Sequence, residues 1–179
     1  SENKISDFQA ETGCLLPYGA SFVPMIIDRA KGIYVYSNGR KILDFTSGQM
    51  STLIGHCNSE IAEVISKYAY ELDHLYSGMI SPPVVELSQK LTSLLPAGLD
   101  KAMFLSTGSE ANEAAIKLAK HYTGKFEIVG LSLSWHGMTG ASNGITYQTG
   151  RQNHGPMLPG NLMLPAPNAY RSIFRHPDG

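Results

Sequence analysis

The sequence has few cysteines, almost no net charge and no long apolar run. Its two cysteines, Cys14 and Cys57, have neither the spacing of a metal site nor the density of a disulfide framework. A formal net charge of −1 gives no reason to expect nucleic acid or a membrane as a partner. No segment approaches the ~20 apolar residues of a membrane span, and the first residues lack signal-peptide character. We therefore expect a cytoplasmic protein with reduced thiols.

The remaining composition is typical of a globular protein. Hydrophobic residues make up 42% of the chain and charged residues 16%, which excludes a disordered or fibrous protein. With 179 residues the chain is long enough to bury a sizeable core. Helical and β-rich segments alternate through its second half, and this alternation predicts an α/β fold with a mainly parallel sheet.

A strand, a tight turn and a helix are predicted between residues 101 and 119. Met103–Leu105 form a short apolar run typical of a buried parallel strand, and strong helix formers follow from Asn112 onward. Between them lie the small residues Ser106–Ser109, where Gly108 allows the backbone to approach a ligand closely. Such a turn directs free N–H groups and the positive end of the helix dipole at one point, which favours phosphate binding. An ordinary helix N-cap is the alternative for this turn taken alone.

A second motif, Ser134–Met138, follows the next predicted strand. The helix is expected to end at Thr123–Gly124, and the Ile- and Val-containing segment Phe126–Leu131 is predicted to be a parallel strand. Ligands of open α/β sheets bind at the carboxyl ends of the strands. We therefore expect the turn at Ser106–Ser109 and the second motif to face the same crevice.

The first third of the chain is predicted to contain a β-hairpin. Asn38–Gly39 lies between two β-rich runs, Ile33–Tyr36 and Lys41–Phe45, and an Asn-Gly pair in that position strongly favours a two-residue hairpin turn. A short helix is also predicted around Ile5–Thr12. The small polar residues of Thr46–Ser51 predict a loop.

Two helices are predicted between the hairpin and the strand-turn-helix motif. The first begins near Ser59, with Asn58 as its N-cap, and the second opens at the Pro82–Pro83 pair. Asp73–Ser81 is predicted to be the loop between them. The glycines and prolines that follow Gln148 predict a long irregular tail, as in a chain cut within a loop. The first helix presents one apolar face, which is expected to be buried and consists of Ile61, Val64, Ile65, Tyr68 and Leu72.

The motifs, in their order, resemble those of the class III aminotransferases, which are pyridoxal-phosphate enzymes of the aspartate-aminotransferase fold type. The shared motifs are Gly-x-Tyr-Val-Tyr, Leu-Asp-Phe, Gly-His-Cys, Ser-Thr-Gly-Ser-Glu-Ala-Asn-Glu-Ala and Ser-Trp-His-Gly. The segments Asp44–Ser51, Ser77–Met79 and Ser134–Thr139 are most similar to the family members that decarboxylate 2,2-dialkylglycines. The resemblance therefore implies decarboxylation-coupled transamination of 2,2-dialkyl amino acids with a 2-oxo acid acceptor. An ordinary ω-amino-acid transaminase, or a non-catalytic short paralogue that serves as a binding partner, is the alternative.

The resemblance also implies how the chain is organised. Residues 1–55 would form an N-terminal segment with the hairpin, and residues 56–179 would form the first part of the large pyridoxal-phosphate domain. The family's Schiff-base lysine and its substrate-carboxylate arginine would lie beyond residue 179. The chain is therefore expected to be an N-terminal fragment, inactive alone, of a homodimer or tetramer. The loop Asp73–Ser81, with apolar Tyr76, is expected near the subunit interface.

For the cofactor, the resemblance assigns residues from both motifs. Thr107, Gly108 and Ser109 would bind the phosphate, while Asn112 would either bond within the site or brace the helix start. Trp135 would stack on the pyridine ring, with a core anchor as its alternative role. His136 would either bond the ring substituents or shape the turn.

For the substrate, the resemblance points to Gln49, Met50 and Met138. The bond that breaks must stand perpendicular to the cofactor ring, so a decarboxylase has to hold the substrate carboxylate there. The neutral amide of Gln49 would orient that carboxylate without a tight ion pair. An ordinary polar loop residue is the alternative. Leu75 and Ser77 would provide oxygen ligands to an alkali-metal cation.

Overall fold

The computed structural model describes residues 8, 10–17, 21–147 and 157–175. It divides into two compact units, Ser1–Val85 and Glu86–Gly179. The described residues Phe8 and Ala10–Thr12 are helical, in agreement with the short N-terminal helix, and the rest of that prediction lies outside the described residues.

The first unit is built on a three-stranded antiparallel sheet. The strands are β1 (Arg29–Lys31), β2 (Tyr34–Ser37) and β3 (Arg40–Leu43), with β2 in the centre. Asn38 and Gly39 connect β2 to β3 with φ of 48° and 74°, the left-handed pair that a two-residue turn requires. The predicted hairpin is therefore confirmed. The sequence did not predict β1, since Arg-Ala-Lys is too short and polar to favour a strand.

Both helices predicted after the hairpin are present. The first, α1 (Ser59–Glu71), begins where Asn58 Oδ1 accepts a hydrogen bond from the Ile61 N–H at 3.2 Å. The second, α2 (Pro82–Ser93), opens at the two prolines and contains the boundary between the two units. The segment between these helices, residues 72–81, has no regular structure, as predicted.

The second unit places a long helix beside a short parallel sheet. Helix α3 (Gly108–Thr123) ends at Gly124, whose φ of 68° is the left-handed geometry that favours glycine. Strand β4 (Ile128–Leu131) follows, and after the short helix α4 (Gly140–Gly144) the chain returns as β5 (Asn161–Leu164). Strands β4 and β5 are parallel, with Val129 opposite Leu162.

Two predictions in this unit are wrong. Met103–Leu105 do not form a strand, because no described segment hydrogen-bonds to them, and an apolar run becomes a strand only when it has a neighbour. The tail after Gln148 is not irregular throughout, because β5 pairs with β4 along it. Residues 148–156 lie outside the described residues.

Burial among the described residues is concentrated around α4, apart from Ser37 in the first unit, which is 5% exposed. Among the described residues Ile145 is the buried hydrophobic, and the neighbouring Ser142 and Thr146 are 0% and 1% exposed. Helices α1, α2 and α3 have no buried residues, and Ile65, predicted to face a core, is 64% exposed. The expectation of a buried face on α1 therefore fails here, because the described residues provide no second layer to cover it. Both cysteines are exposed free thiols, and no described helix is long and apolar enough to cross a membrane.

Candidate functional site

The amino end of α3 keeps two free backbone donors. Thr107 is the N-cap: its hydroxyl accepts from the Glu110 N–H at 3.2 Å, and the Glu110 carboxylate accepts from the Thr107 N–H at 3.0 Å. The N–H groups of Gly108 and Ser109 have no partner among the described residues. A Cβ placed on Gly108 would meet nothing within 4 Å, so there is space beside these donors. Thr107 is therefore an ordinary helix cap, whereas the free donors that could bind an anion belong to its neighbours Gly108 and Ser109.

Side chains of α3 hold the second motif directly. Ser109 Oγ accepts a hydrogen bond from the Met138 N–H at 3.2 Å, and Asn112 Nδ2 donates to the His136 carbonyl at 2.6 Å. The two motifs are therefore in contact, and the crevice that they were predicted to share stays a prediction. Of the two roles considered for Asn112, the structure shows a bond to the second motif and no capping contact at the start of its own helix, where Thr107 is the cap.

Glu113 provides the most extensive contact between α3 and this loop. Its Oε1 accepts from the N–H groups of Ala141 at 2.7 Å and Ser142 at 3.0 Å, which are the first-turn donors of α4. The hydrogen bond from the Ser142 N–H, and after it one from the Thr139 hydroxyl, lowers the pKa of Glu113 below its ordinary 4.5. The carboxylate of one helix thus caps another.

Gly137 allows this close approach. Its φ of +140° lies in the region that favours glycine, and a Cβ there would stand 2.6 Å from Ser142 Oγ and 2.8 Å from Ser109 Cβ. Only a residue without a side chain lets the loop lie against the first turn of α3.

The loop side of the site contains one unsatisfied ring nitrogen. The backbone N–H of His136 donates to Thr146 Oγ1 at 2.9 Å, and Thr146 Oγ1 in turn donates to the Ser142 carbonyl at 2.9 Å. His136 Nε2 is buried and has no partner among the described residues. Beside it, Trp135 is 46% exposed, so part of the indole is accessible.

Gln49 and Met50 belong to the first unit, where the predicted loop is a strained turn. Four consecutive residues, Ser47–Met50, have positive φ of 50°, 56°, 59° and 71°. One turn of left-handed helix results, which costs about 1–2 kcal/mol for each residue that has a Cβ. Both side chains are exposed, Met50 by 79%. Strained backbone of this kind is concentrated at functional sites.

Asp44 anchors the loop that contains this turn. Its Oδ1 accepts from the Thr46 N–H at 2.8 Å and the Thr46 hydroxyl at 2.6 Å, and its Oδ2 lies 2.8 Å from His56 Nε2. The Thr46 hydroxyl, followed by His56, lowers the pKa of Asp44 from 3.8 to about 2. The two ends of the loop are thereby tied together.

Leu75 and Ser77 line an open groove of about 400 Å³ in the first unit. The described residues include no cluster of three His, Cys, Asp or Glu side chains that could hold a metal ion. An alkali-cation site uses carbonyl and hydroxyl oxygens instead, so the assignment of these two residues stays a prediction.

The class III aminotransferase family model matches residues 17–177. This chain belongs to the class III aminotransferases. It is 52% identical over 166 residues to an uncharacterized aminotransferase of Schizosaccharomyces pombe, with 92% of this chain and 37% of that protein covered. It is 36% identical over 125 residues to the acetylornithine aminotransferase of Archaeoglobus fulgidus, with 69% of this chain and 33% of that protein covered.

Solved transaminase structures show the same fold. An (S)-enantioselective omega-transaminase from Thermomicrobium roseum matches with a TM-score of 0.82 and 28% identity over 93% of this chain and 41% of that one. The omega transaminase of Pseudomonas jessenii in complex with PMP matches with a TM-score of 0.81 and 27% identity, over 92% of this chain and 40% of that one. The fold is therefore that of the fold type I pyridoxal-phosphate transaminases, and the chain spans between 33% and 41% of the length of these four proteins.

Class III aminotransferases use pyridoxal phosphate, and the residues present fit it. The free N–H groups of Gly108 and Ser109, with open space beside them, suit a phosphate. The unsatisfied His136 Nε2 and the accessible part of Trp135 suit a polar aromatic ring.

Sequence reasoning assigned no role to three of the residues that hold the site together, namely Glu113, Gly137 and Thr146. A signal for Glu113 was present: Ser109, Asn112 and Glu113 have i, i+3, i+4 spacing and therefore share one helix face. What that face contacts depends on a loop about thirty residues further along the chain, and the pattern of α3 alone does not identify it.

Proposed function

We propose that the complete protein containing this chain is a pyridoxal-phosphate transaminase. The observation that carries the proposal is the amino end of α3, where the free donors of Gly108 and Ser109 lie on the same helix that holds the Trp135–Met138 loop. Pyridoxal phosphate supplies an electron sink for bonds at the substrate's α-carbon. Residues 56–179 would then be the first part of its cofactor domain, with 1–55 as the N-terminal segment.

The chain's own residues would bind and orient the cofactor. Gly108 and Ser109 N–H groups, together with the Thr107 hydroxyl hydrogen, would donate to the phosphate. The Thr107 N–H already donates to the Glu110 carboxylate, so it could bind the phosphate only if that carboxylate moved away. Trp135 would hold the ring by stacking, and His136 Nε2 would bond a polar ring substituent.

The finer proposal is decarboxylation-coupled transamination of a 2,2-dialkyl amino acid with a 2-oxo acid acceptor. Gln49 supports it, because the left-handed turn at Ser47–Met50 holds an exposed neutral amide on a strained backbone. That amide would orient the substrate carboxylate for loss as carbon dioxide.

Ordinary transamination is the second candidate, and the names of the relatives favour it. They include acetylornithine aminotransferases and omega-transaminases, and none of these names mentions decarboxylation. Transamination breaks a C–H bond of the substrate and leaves any carboxylate in place. Gln49 would therefore have no carboxylate to hold perpendicular to the cofactor ring.

The two candidates are separated by one ratio measured on the complete protein. Gln49→Ala should slow carbon dioxide release from a dialkylated amino acid about tenfold to a hundredfold relative to transamination of alanine, since one orienting hydrogen bond is lost. Gln89→Ala is the matched control, because Gln89 is an exposed glutamine on α2. An unchanged ratio in Gln49→Ala would remove the decarboxylase proposal and leave an ordinary transaminase.

A homo-oligomer is also proposed. The loop after α1 exposes three large side chains in a short segment, which suits a subunit interface: Tyr76 by 70%, Met79 by 62% and Ile80 by 75%. Sedimentation of the complete protein as a monomer at micromolar concentration would contradict it.

The alkali-cation site at Leu75 and Ser77 also remains a proposal. It is tested by exchanging potassium for lithium in the activity assay.

A further inference from the structure

We propose that Glu113 is the positioning residue that sets the distance between the phosphate end and the ring end of the cofactor site. The inference rests on the proposed function, since it assumes that the cofactor lies between the start of α3 and the Trp135–Met138 loop. Glu113 itself lies in the second turn of α3 and touches neither end. Its role follows from the two α4 amides that it holds just beyond that loop.

The first step is the geometry of the connection. A single carboxylate oxygen accepts both the Ala141 and the Ser142 N–H, at 2.7 and 3.0 Å. Thr139, the N-cap residue of α4, makes no capping hydrogen bond to that helix, so Glu113 replaces the cap that α4 lacks. The loop therefore ends in a helix whose first turn is fixed from α3.

The second step is burial. Ser142 is 0% exposed, so water cannot replace the carboxylate at its N–H. A buried donor left without a partner carries its full desolvation penalty, which makes this contact more consequential than an exposed hydrogen bond. The loop would have to move for that N–H to find another acceptor.

The third step is the continuity between the two ends. Ser109, Asn112 and Glu113 share one face of α3 and bond to Met138, His136 and the first turn of α4 respectively. Ser109 also contributes one of the free N–H groups at the phosphate end. Losing the contact of Glu113 would release the loop at its far end and let Trp135 and His136 shift relative to the phosphate donors.

The test compares three variants in the complete protein. Glu113→Ala removes the acceptor, and Glu113→Asp keeps the charge but is one methylene too short to reach the amides. Glu113→Gln keeps an oxygen that can accept both N–H groups. Glu63→Ala is the control, because it removes an exposed carboxylate from α1. The readouts are the Kd of pyridoxal phosphate for the apo-protein, from absorbance titration, and hydrogen exchange at residues 138–142 before cofactor is added.

Glu113→Ala and Glu113→Asp should raise the Kd at least tenfold and accelerate exchange at Ala141 and Ser142, whereas Glu113→Gln should stay within about threefold of wild type. Equal Kd values for Ala, Asp and wild type would overturn the inference and leave the proposed function intact. A Gln variant as weak as the Ala variant would also overturn it, since charge rather than the paired contact would then matter. Failure of the wild type to bind pyridoxal phosphate would remove the proposed function and this inference together, and if Glu113→Ala does not fold, Asp and Gln still decide.

Discussion

Asp44 in the first unit and Glu113 in the second each tie a loop to residues elsewhere in the chain, and they differ in how far along the chain their partners lie. Asp44 accepts from residues 2 and 12 positions further along the chain, whereas Glu113 accepts from residues 28 and 29 positions away. Asp44 closes a loop with exposed side chains on a strained backbone, and Glu113 fixes a loop that ends in the most buried residues described.

The two loops therefore differ in how firmly the surrounding structure holds them. The loop beside α3 is held by side chains of a regular helix, so its geometry is fixed before any ligand arrives, as a cofactor resident through many turnovers requires. Asp44 ties the two ends of the loop with Gln49 together. The hydrogen bonds in the middle of that loop stay within the turn, which stores backbone strain. We expect substitutions in the loop beside α3 to lower stability, and substitutions in the loop with Gln49 to change reactivity.

Gly137→Ala should have the largest effect. The new Cβ would stand 2.8 Å from Ser109 Cβ, which the backbone of α3 holds in place, and the φ of +140° disfavours any side chain. We expect the free energy of local opening, from hydrogen exchange at Met138, to fall by about 3 kcal/mol. Gly140→Ala is the matched control, since a Cβ there meets nothing within 4 Å, and equal effects at both glycines would contradict this account of the loop.

Local signals predicted much of the framework. The Asn38–Gly39 turn, the Asn58 cap and the Pro82–Pro83 helix start depend on neighbouring residues, and all three are present. The wrong predictions concerned pairing. The strand assigned to Met103–Leu105 needed a neighbouring strand that the described residues do not provide, and the position of β5 depended on β4, some thirty residues earlier.

For the site residues too, features set by neighbouring residues were predicted and features set by distant residues were missed. Gly108 and Ser109 were predicted because a helix start creates free donors wherever it occurs. Glu113 was missed because its partners are set by the path of a distant loop. The strain at Gln49 was also missed, since glutamine favours ordinary right-handed geometry and only the tertiary structure holds it elsewhere.

Gln49→Gly should have a smaller effect, of opposite sign on stability. Glycine relieves the left-handed backbone at this position, and after its own entropic cost the turn should gain about 1 kcal/mol, roughly a fivefold slower exchange of the Thr52 amide that donates to the Ser47 carbonyl. Gln49→Ala keeps the strain and is the control. Faster exchange in the glycine variant would show that the side chain, rather than the backbone, holds the turn.

The smallest effect expected is the acid release of the loop that Asp44 closes. Because the pKa of Asp44 falls from 3.8 to about 2 on folding, its contribution is complete above about pH 4 and is lost as the pH falls toward 2. In the complete protein, pepsin should therefore cleave between residues 45 and 57 slowly at pH 4 and severalfold faster near pH 2, relative to cleavage within α1. In the Asp44→Asn variant, pepsin should cleave this loop rapidly and at the same relative rate across the pH range, because the amide has no charge to lose. A pH-independent rate in the wild type, or a pH-dependent one in Asp44→Asn, would show that this carboxylate does not close the loop.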